Sequence, residues 1–316
     1  MPFDRLWSIY QVGGYAAACA TVAADAAEYF YLALLAFGEG ELAAATAYAR
    51  AAVVAAPEDL FYAAAANYLA HREGSGKQQA YAAAEGFGAF IRGGGNVPLY
   101  TATSAALRRH YLRYPHLRLL DIGVGDGLAL LPALTPNIQR LDLVEPATAL
   151  LDRTREQLDA QGIAYQRHTC TLQTFVAGEH GPWDVAQATF SLQSIPPANR
   201  APLFHWLRDH CTELLIAEFD TPEFSHLYAA ERVASITARY RRGLTDYSTE
   251  RELVAQGFLM PVFFGAFDPT ADRVNYEHPI AEWIAQLHTA GFGHVESELL
   301  YTYWWGPAKL VVARRT

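Results

Sequence analysis

The chain has 316 residues, of which 52% are hydrophobic and 18% are charged, a balance typical of a globular protein with a sizeable core. Its 33 acidic and 24 basic side chains give a formal net charge of −9, which argues against general binding to nucleic acids or anionic membranes. The three cysteines are scattered and the eleven histidines form no paired motif, so we expect no metal site.

The N-terminal third is rich in alanine and has a helical pattern. Residues 25–37 and 41–56 are predicted helices, separated by a Gly-Glu-Gly turn and closed by Pro57. This stretch resembles a single tetratricopeptide-type helix pair, whereas a solenoid normally needs about three or more repeats. We therefore expect an all-α domain over residues 1–96 that caps the active site, holds a substrate or mediates a homodimer, or that serves only for packing. The first residues, M-P-F-D-R-L-W, lack the basic-then-apolar layout of a signal peptide, and we expect a cytoplasmic location.

A glycine-rich turn follows the first predicted strand of the second domain. The run L-L-D-I-G-V-G-D-G-L-A carries Asp121 at the end of an apolar stretch, and then Gly123, Gly125 and Gly127 at every second position. A buried strand that turns sharply into a helix has this pattern, because glycine permits positive φ and lets a ligand lie against bare backbone.

These four residues resemble the first motif of the class I S-adenosylmethionine (SAM) methyltransferases, an acid followed by G-x-G-x-G. The resemblance implies that Asp121 hydrogen-bonds the methionine end of SAM, and that Tyr100, on the helix before the strand, contacts the cofactor. A nicotinamide-dependent dehydrogenase is the alternative. Its G-x-G-x-x-G pattern needs glycine at position 128, which is Leu128 here.

The second predicted strand, residues 139–146, ends in Glu145 and Pro146. Glu145 lies 24 residues after Asp121, close to the spacing at which an acid binds ribose hydroxyls. A carboxylate at a strand end can accept both hydroxyls in charge-assisted hydrogen bonds. We therefore assign both residues to the cofactor site.

Two further strands are predicted to complete the cofactor site. Residues 163–172 alternate roughly and end in Thr171 and Leu172, at the position where the resemblance implies contact with adenine. Residues 183–195, W-D-V-A-Q-A-T-F-S-L-Q-S-I, resemble the fourth strand of the family and contain Thr189, a further cofactor candidate.

The remainder of the chain is predicted to finish a sheet. Residues 214–219 form a fifth buried strand, residues 279–292 an amphipathic helix, and residues 294–303 and 309–314 two last strands. The resemblance implies that these two strands form an antiparallel pair at the sheet edge. Residues 221–278 exceed what the common fold needs and are interpreted as a helical insertion that builds the acceptor site.

The expected fold is therefore α/β, with a Rossmann-like seven-stranded methyltransferase sheet, helices on both of its faces, and the alanine-rich helical domain before it. The SAM-binding domain is predicted to span residues 97–316, after the glycine run 93–95. The cofactor implied by the resemblance is SAM, with S-adenosylhomocysteine as its product.

The acceptor site is predicted from the insertion and from two other positions. The family's usual histidine pair after the fourth strand is replaced by Gln193 and Ser194, which removes a possible general base. Tyr240, Arg241 and Tyr247 cluster where a long helix ends, and an arginine beside a tyrosine can hold a carboxylate by paired hydrogen bonds. The substrate-binding candidates are Gln193, Tyr240, Arg241, Tyr247 and Trp304.

These observations favour a SAM-dependent methyltransferase of specialised metabolism that acts on a small molecule or a peptide. Carboxylate O-methylation is slightly favoured, because a carboxylate needs no base. A phenol or amine methyltransferase of natural-product biosynthesis is the alternative. A helical adaptor with a vestigial SAM-binding domain is the non-enzymatic alternative, and the intact acid and glycine positions argue against it.

Overall fold

The computed structural model describes residues 2–74 and 80–315, with the side chains of residues 80–84 excepted. The chain divides into two compact units. The first is a helical unit made of the residues up to Val97 together with Phe224–Asp272, and the second is a sheet unit made of Pro98–Glu223 and the residues from Arg273 onward.

The elements follow in chain order as α1 (Asp4–Cys19), α2 (Ala26–Gly38), α3 (Leu42–Ala55), α4 (Leu60–Gly74), α5 (Ala80–Arg92), α6 (Asn96–Tyr111), β1 (Leu117–Ile122), α7 (Leu130–Ala133), β2 (Ile138–Val144), α8 (Thr148–Ala160), β3 (Gln166–His168), α9 (Leu172–Phe175), β4 (Trp183–Thr189), α10 (Ala201–His210), β5 (Cys211–Phe219), α11 (Ala230–Thr245), α12 (Arg251–Val254), α13 (Met260–Gly265), α14 (Ile280–Thr289), β6 (His294–Thr302) and β7 (Pro307–Arg314). A π-helical turn, Ala255–Leu259, joins α12 to α13.

The helical unit is organised around aromatic side chains that the alanine-rich helices enclose. Phe30 on α2 and Phe61 on α4 pack edge to face with ring centroids 5.0 Å apart, and Phe61 lies the same distance from Phe263 on α13. All three rings are fully buried. Alanines such as Ala45 and Ala49 on α3 are buried as well, so small side chains permit close helix contacts.

The insertion packs with the N-terminal helices, and this differs from the division predicted from the sequence. Residues 221–278 were assigned to the methyltransferase domain, whereas Phe224–Asp272 belong to the helical unit. The physical reason is the apolar segment around α13, because Phe263 and Phe264 bury their rings against α2 and α4. The N-terminal helices thus supply the apolar surface that this segment covers.

The second unit is a seven-stranded sheet in the order β3-β2-β1-β4-β5-β7-β6. The first five strands of this order run parallel, and β7 pairs antiparallel with both β5 and β6. Each face of the sheet has its own core, one packed with residues of α9, α10 and α14 and the other with residues of α6, α7 and α8. The predicted α/β fold with helices on both faces and an antiparallel terminal pair is confirmed.

Local differences from the predicted elements occur where polar side chains end a strand. The third strand covers only Gln166–His168, and Thr171 caps the short helix α9 by accepting a hydrogen bond from the Thr174 amide at 3.3 Å. The fourth strand ends at Thr189 and is followed by a 3₁₀ turn, Leu192–Ser194. No helix within the described ranges is both long and apolar enough to cross a membrane.

Candidate functional site

In the glycine turn after β1, every second residue has a left-handed backbone conformation. Gly123, Gly125 and Gly127 have φ of +71°, +58° and +80°. A Cβ on Gly123 would come within 2.4 Å of the Ser191 Cβ, and one on Gly127 within 2.8 Å of the Leu131 side chain. A Cβ on Gly125 would meet nothing within 4 Å. Gly123 and Gly127 are therefore required for packing, whereas Gly125 leaves open space beside bare backbone.

Glu145, directly after β2, fixes this turn. One carboxylate oxygen, Oε2, accepts a hydrogen bond from the Gly125 amide at 3.0 Å, and Oε1 accepts one from the Ala147 amide at 2.8 Å. The Thr154 hydroxyl donates to the Gly125 carbonyl at 2.8 Å, so the Gly125 peptide is held on both sides. Each carboxylate oxygen can accept a second hydrogen bond, which leaves capacity for ligand hydroxyls.

Asp121, at the end of β1, is a buried acid with an ordered set of neighbours. Gln187 donates from Nε2 to the Asp121 Oδ2 at 2.8 Å, and the Tyr111 hydroxyl donates to the Gln187 Oε1. Burial raises the pKa of Asp121 to about 7; the Gln187 hydrogen bond opposes this shift and the Glu145 charge adds to it. A cationic ligand group beside Asp121 would stabilise its charged form, so this carboxyl group suits an ammonium.

The other cofactor candidates also lie where parallel strands end. Pro146 is exposed beside Glu145, Leu172 is buried in α9, and Thr171 is the cap described above. Thr189 ends β4, and its buried hydroxyl oxygen has no hydrogen-bond partner among the described residues. Residues at the ends of β1, β2 and β4 thus share one edge of the sheet, and ligands in open α/β folds bind outside this edge. The assignments to SAM stay predictions.

Aromatic rings continue this edge toward β5 and β6. Phe190 has φ of +49°, an unfavourable conformation for a bulky residue, and its ring stacks on Phe219 with centroids 4.7 Å apart. Tyr100 packs edge to face on Phe190 at 6.0 Å, and Tyr303 stacks on Phe219 at 5.3 Å. Backbone strain of this kind persists where the surroundings enforce it, often at functional sites.

Trp304, an acceptor candidate, lies at the end of this series of rings. Its centroid is 5.4 Å from that of Tyr303 and 5.9 Å from that of Trp305. The Trp305 indole donates to Glu277 at 2.7 Å. Trp304 is buried, so its ring contributes to the packing of this edge.

Gln193 lies in the 3₁₀ turn after β4. Its backbone N–H donates a hydrogen bond to the Glu218 Oε1 at 3.2 Å. Glu218, on β5, was not among the predicted site residues, and neither were Gln187 and Tyr111. An acid in the otherwise apolar run L-L-I-A-E-F is the signal in the sequence that points to Glu218. Burial holds the pKa of this carboxyl group well above its usual range.

The helical unit contains the acceptor candidates Tyr240, Arg241 and Tyr247, and each of them contacts other residues of that unit. Tyr240 packs edge to face on Phe263 with centroids 5.0 Å apart. The Tyr247 hydroxyl donates to the Phe90 carbonyl at 3.0 Å. Both tyrosines are buried. Their assignment to an acceptor pocket stays a prediction, and their contacts account for a role in the helical core.

Arg241 makes an ion pair within the helical unit instead of standing free. Its Nε and Nη2 lie 3.0 and 2.8 Å from the Asp59 Oδ2, and its guanidinium carbon is 4.8 Å from the Tyr62 ring centroid. Asp59 also caps α4 by accepting a hydrogen bond from the Phe61 amide at 2.9 Å. Arg241 therefore ties α11 to the start of α4.

We expect Arg241→Ala to destabilise the protein. The ion pair is partly exposed and screened by solvent, and the loss includes the contact with Tyr62, so about 0.5–1.5 kcal/mol of unfolding free energy should be lost. Chemical denaturation of the parent, Arg241→Ala and Arg241→Lys measures this, and the lysine variant should lie in between. Unchanged stability would contradict this structural role.

A concave region lies near the amino ends of the parallel strands, opposite the edge that carries the candidate site. It is a shallow, open depression of about 430 Å³, lined by Arg140, Gln166, Glu179, His180 and Gly181. Gln166 begins β3, and Gly181 precedes β4, so this depression is remote from Asp121 and the glycine turn. Among the described residues, no group of three or more His, Cys, Asp or Glu side chains is placed to hold a metal ion.

No protein-family model matches the chain, and no curated protein matches it. Similar solved structures include a candidate O-methyltransferase from Nostoc punctiforme, with 16% identity and a TM-score of 0.46; the similarity covers 67% of this chain and 55% of that one. Magnesium protoporphyrin IX methyltransferase from Synechocystis has 14% identity and a TM-score of 0.48, over 70% of this chain and 85% of that one. Mitomycin 7-O-methyltransferase has 16% identity and a TM-score of 0.45, over 92% and 72%. The chain therefore spans about half the length of the Nostoc protein.

The strand order, the antiparallel terminal pair and the glycine turn after β1 together define the class of the sheet unit. It is a Rossmann-like α/β domain, joined in this chain to a separate helical unit.

Proposed function

We propose that the protein is a SAM-dependent methyltransferase. The observation that carries this proposal is the arrangement of Asp121, Gly125 and Glu145 at the carboxyl ends of β1 and β2. Two acids flank a stretch of bare backbone that has open space beside it. One of them, Asp121, is buried with a raised pKa, which suits a ligand that brings a positive charge.

The residues present fit SAM, group by group. Glu145 would accept hydrogen bonds from the ribose hydroxyls through the acceptor capacity that the Gly125 and Ala147 amides leave free. Asp121 would pair with the ammonium of the methionine end, and Gly125 would let the ligand lie against the backbone. When bound, SAM supplies a methyl group on a sulfonium, which an acceptor can displace in line. The residues of the chain position that acceptor, and alignment can supply roughly 7–11 kcal/mol of the barrier.

The acceptor is expected to be a small molecule or a peptide of specialised metabolism. The preference for a carboxylate acceptor rests on the absence of a histidine base after β4 and on the available arginines. The second ground is weakened, because Nε and Nη2 of Arg241 pair with Asp59. The alternative class, a phenol or amine, needs a proton acceptor near the reacting atom. The buried carboxyl group of Glu218, beside Gln193, bears on the choice between a carboxylate and a phenol or amine acceptor.

Glu145→Ala is the variant that tests the cofactor assignment. We expect it to weaken SAM binding by roughly 1.5–3 kcal/mol, the worth of hydrogen bonds to a charged group, as measured by titration calorimetry. Glu156→Ala removes an exposed acid from α8 and should bind SAM like the parent. If Glu145→Ala also binds SAM like the parent, the ribose assignment is wrong. A parent protein that binds NAD and not SAM would point to a dehydrogenase.

A further inference from the structure

The turn after β4 is fixed by its backbone at Gln193. The Gln193 amide donates to the Glu218 Oε1 at 3.2 Å, and its carbonyl accepts a hydrogen bond from the Tyr276 amide at 2.8 Å. Glu218 lies on the neighbouring strand β5, whose Ala217 is paired with Thr189 at the end of β4. The Gln193 side chain therefore starts from a backbone position that two separate segments hold.

Two buried polar atoms at this place have no protein partner. The second carboxyl oxygen of Glu218, Oε2, and the side-chain oxygen of Gln193, Oε1, receive no hydrogen bond from any residue that the structure describes. Glu218 is only 1% exposed. A buried group left without a partner costs about 1–3 kcal/mol, and native proteins contain few of them. A pair of them at the edge where α/β folds bind ligands indicates a site that a ligand completes.

The charges around this pair do not suit a carboxylate ligand. Glu277 raises the pKa of Glu218 further, while Arg200 opposes this effect. All three guanidinium nitrogens of Arg200 already have partners. Nε donates to the Ile195 carbonyl at 2.8 Å and Nη2 to the Tyr276 carbonyl at 2.9 Å, and Nη1 forms a hydrogen bond with the His278 ring.

The remaining charged groups nearby leave this conclusion unchanged. The pKa of His278 is lowered to about 4 by burial and by the charge of Arg200, so this ring is neutral at neutral pH. Lys309 pairs with Asp220 at 3.1 Å, and Arg273 donates to the Asn275 carbonyl at 2.9 Å. A carboxylate ligand would thus lie next to the acids Glu218 and Glu277, and the nearby cations already have partners. A neutral hydroxyl could instead donate a hydrogen bond to Glu218 Oε2 or Gln193 Oε1.

We infer that Gln193 and Glu218 bind the methyl acceptor, that this acceptor is a phenol or alcohol, and that Glu218 receives its proton. The inference rests on the proposed methyltransferase function. Glu218 in its ionised form takes the proton that the acceptor oxygen loses as that oxygen bonds to the methyl carbon, and the carbon–sulfur electron pair stays on the sulfur. Gln193 accepts a hydrogen bond from a second donor group of the same molecule. The raised pKa makes Glu218 a stronger base than an ordinary carboxylate.

Glu218→Gln tests this role, because glutamine keeps an oxygen for the Gln193 amide and removes only the proton acceptor. We expect SAM affinity within about twofold of the parent and kcat lowered by about 100-fold or more, the usual worth of a general base. Gln193→Ala should raise KM with a smaller change in kcat. The parent kcat should rise with pH through a midpoint above the ordinary glutamate range, and Glu218→Gln should lose this rise.

Glu277→Gln is the matched control. It removes a neighbouring negative charge and keeps Glu218, so kcat should persist while the midpoint of the pH profile moves to lower pH. The probes are methyl-labelled SAM with phenols, benzyl alcohols and benzoic acids that carry the same ring substituents. Label in the phenols or alcohols supports the inference, and label only in the acids, or in none of the three, overturns it.

A readout without substrate completes the test. The infrared difference spectrum between the ligand-free parent and Glu218→Gln at neutral pH should contain the carbonyl band of a protonated carboxyl group. The band of Asp121, whose pKa is about 7, is present in both proteins and cancels in the difference. Full activity of Glu218→Gln with the parental pH profile would show that Glu218 only holds the turn. Failure of the parent to bind SAM would instead contradict the proposed function and is measured separately by calorimetry.

Discussion

Replacing Asp121 with asparagine is expected to weaken SAM binding by about 10- to 150-fold while it stabilises the ligand-free protein above neutral pH. The loss of affinity follows because the neutral amide no longer pairs with an ammonium. The gain in stability follows because Asp121 is buried and its carboxylate has no cation beside it in the described contacts. Asparagine can still accept the hydrogen bond from Gln187.

The pH window of the stability effect follows from the pKa of Asp121. Burial raises this pKa from 3.8 to about 7, so the folded protein holds a proton that the unfolded chain has already released. Stability therefore falls as the pH rises from about 4 to about 7, and the penalty is fully present above that range. A shift of this size corresponds to at most about 4 kcal/mol. The variant should have the same melting temperature as the parent near pH 4 and a higher one at pH 8.

Thermal unfolding at several pH values and calorimetry with SAM check both halves of this expectation. Asp159→Asn, which removes an exposed acid at the end of α8, should change neither melting temperature nor affinity appreciably. SAM binding to the parent should also release protons near neutral pH, which appears as a dependence of the binding heat on the buffer. An Asp121→Asn variant that is less stable than the parent at pH 8 would contradict the assignment of Asp121 as a ligand-binding acid whose charged form is destabilised by burial.

Gly125→Val should abolish measurable SAM binding and leave the fold intact. A valine side chain would occupy the open space beside the turn, where the cofactor is expected to lie against the backbone. Its φ of +58° adds strain of about 1–3 kcal/mol, which lowers stability without unfolding a protein of this size.

Gly162→Val is the matched control for that strain. Gly162 follows α8, has φ of +66°, and would also place a Cβ in open space, but it lies outside the candidate site. Both variants should lose similar stability in denaturation experiments, and only Gly125→Val should lose SAM binding in calorimetry. Equal affinities in two folded variants would place the cofactor elsewhere.

The parts of the fold that local sequence patterns govern could be predicted well. The fourth strand begins at Trp183 and the sixth at His294, both as predicted. The turn of three glycines was predictable because positive φ excludes most other residues. The third strand was predicted too long, since Thr171 can cap a helix as readily as it can end a strand.

The parts that depend on distant partners could not be predicted. Glu218 gains its properties from Gln193 and Glu277, which come from two other segments of the chain. Arg241 resembled a free anion-binding residue, yet its partner Asp59 lies 182 positions earlier. A pattern read along the chain contains no information on which of several acids a given arginine will meet.

The split composition of the helical unit has a consequence for protein synthesis. This unit needs Phe224–Asp272, which the ribosome makes only after the first five strands of the sheet. The N-terminal helices therefore emerge long before the aromatic segment that covers them, and Phe30 and Phe61 stay uncovered on that side until Phe263 arrives. A fragment that stops at Val97 would expose this apolar surface permanently, so it should aggregate or recruit chaperones when expressed alone, whereas adding residues 224–272 in trans should rescue it.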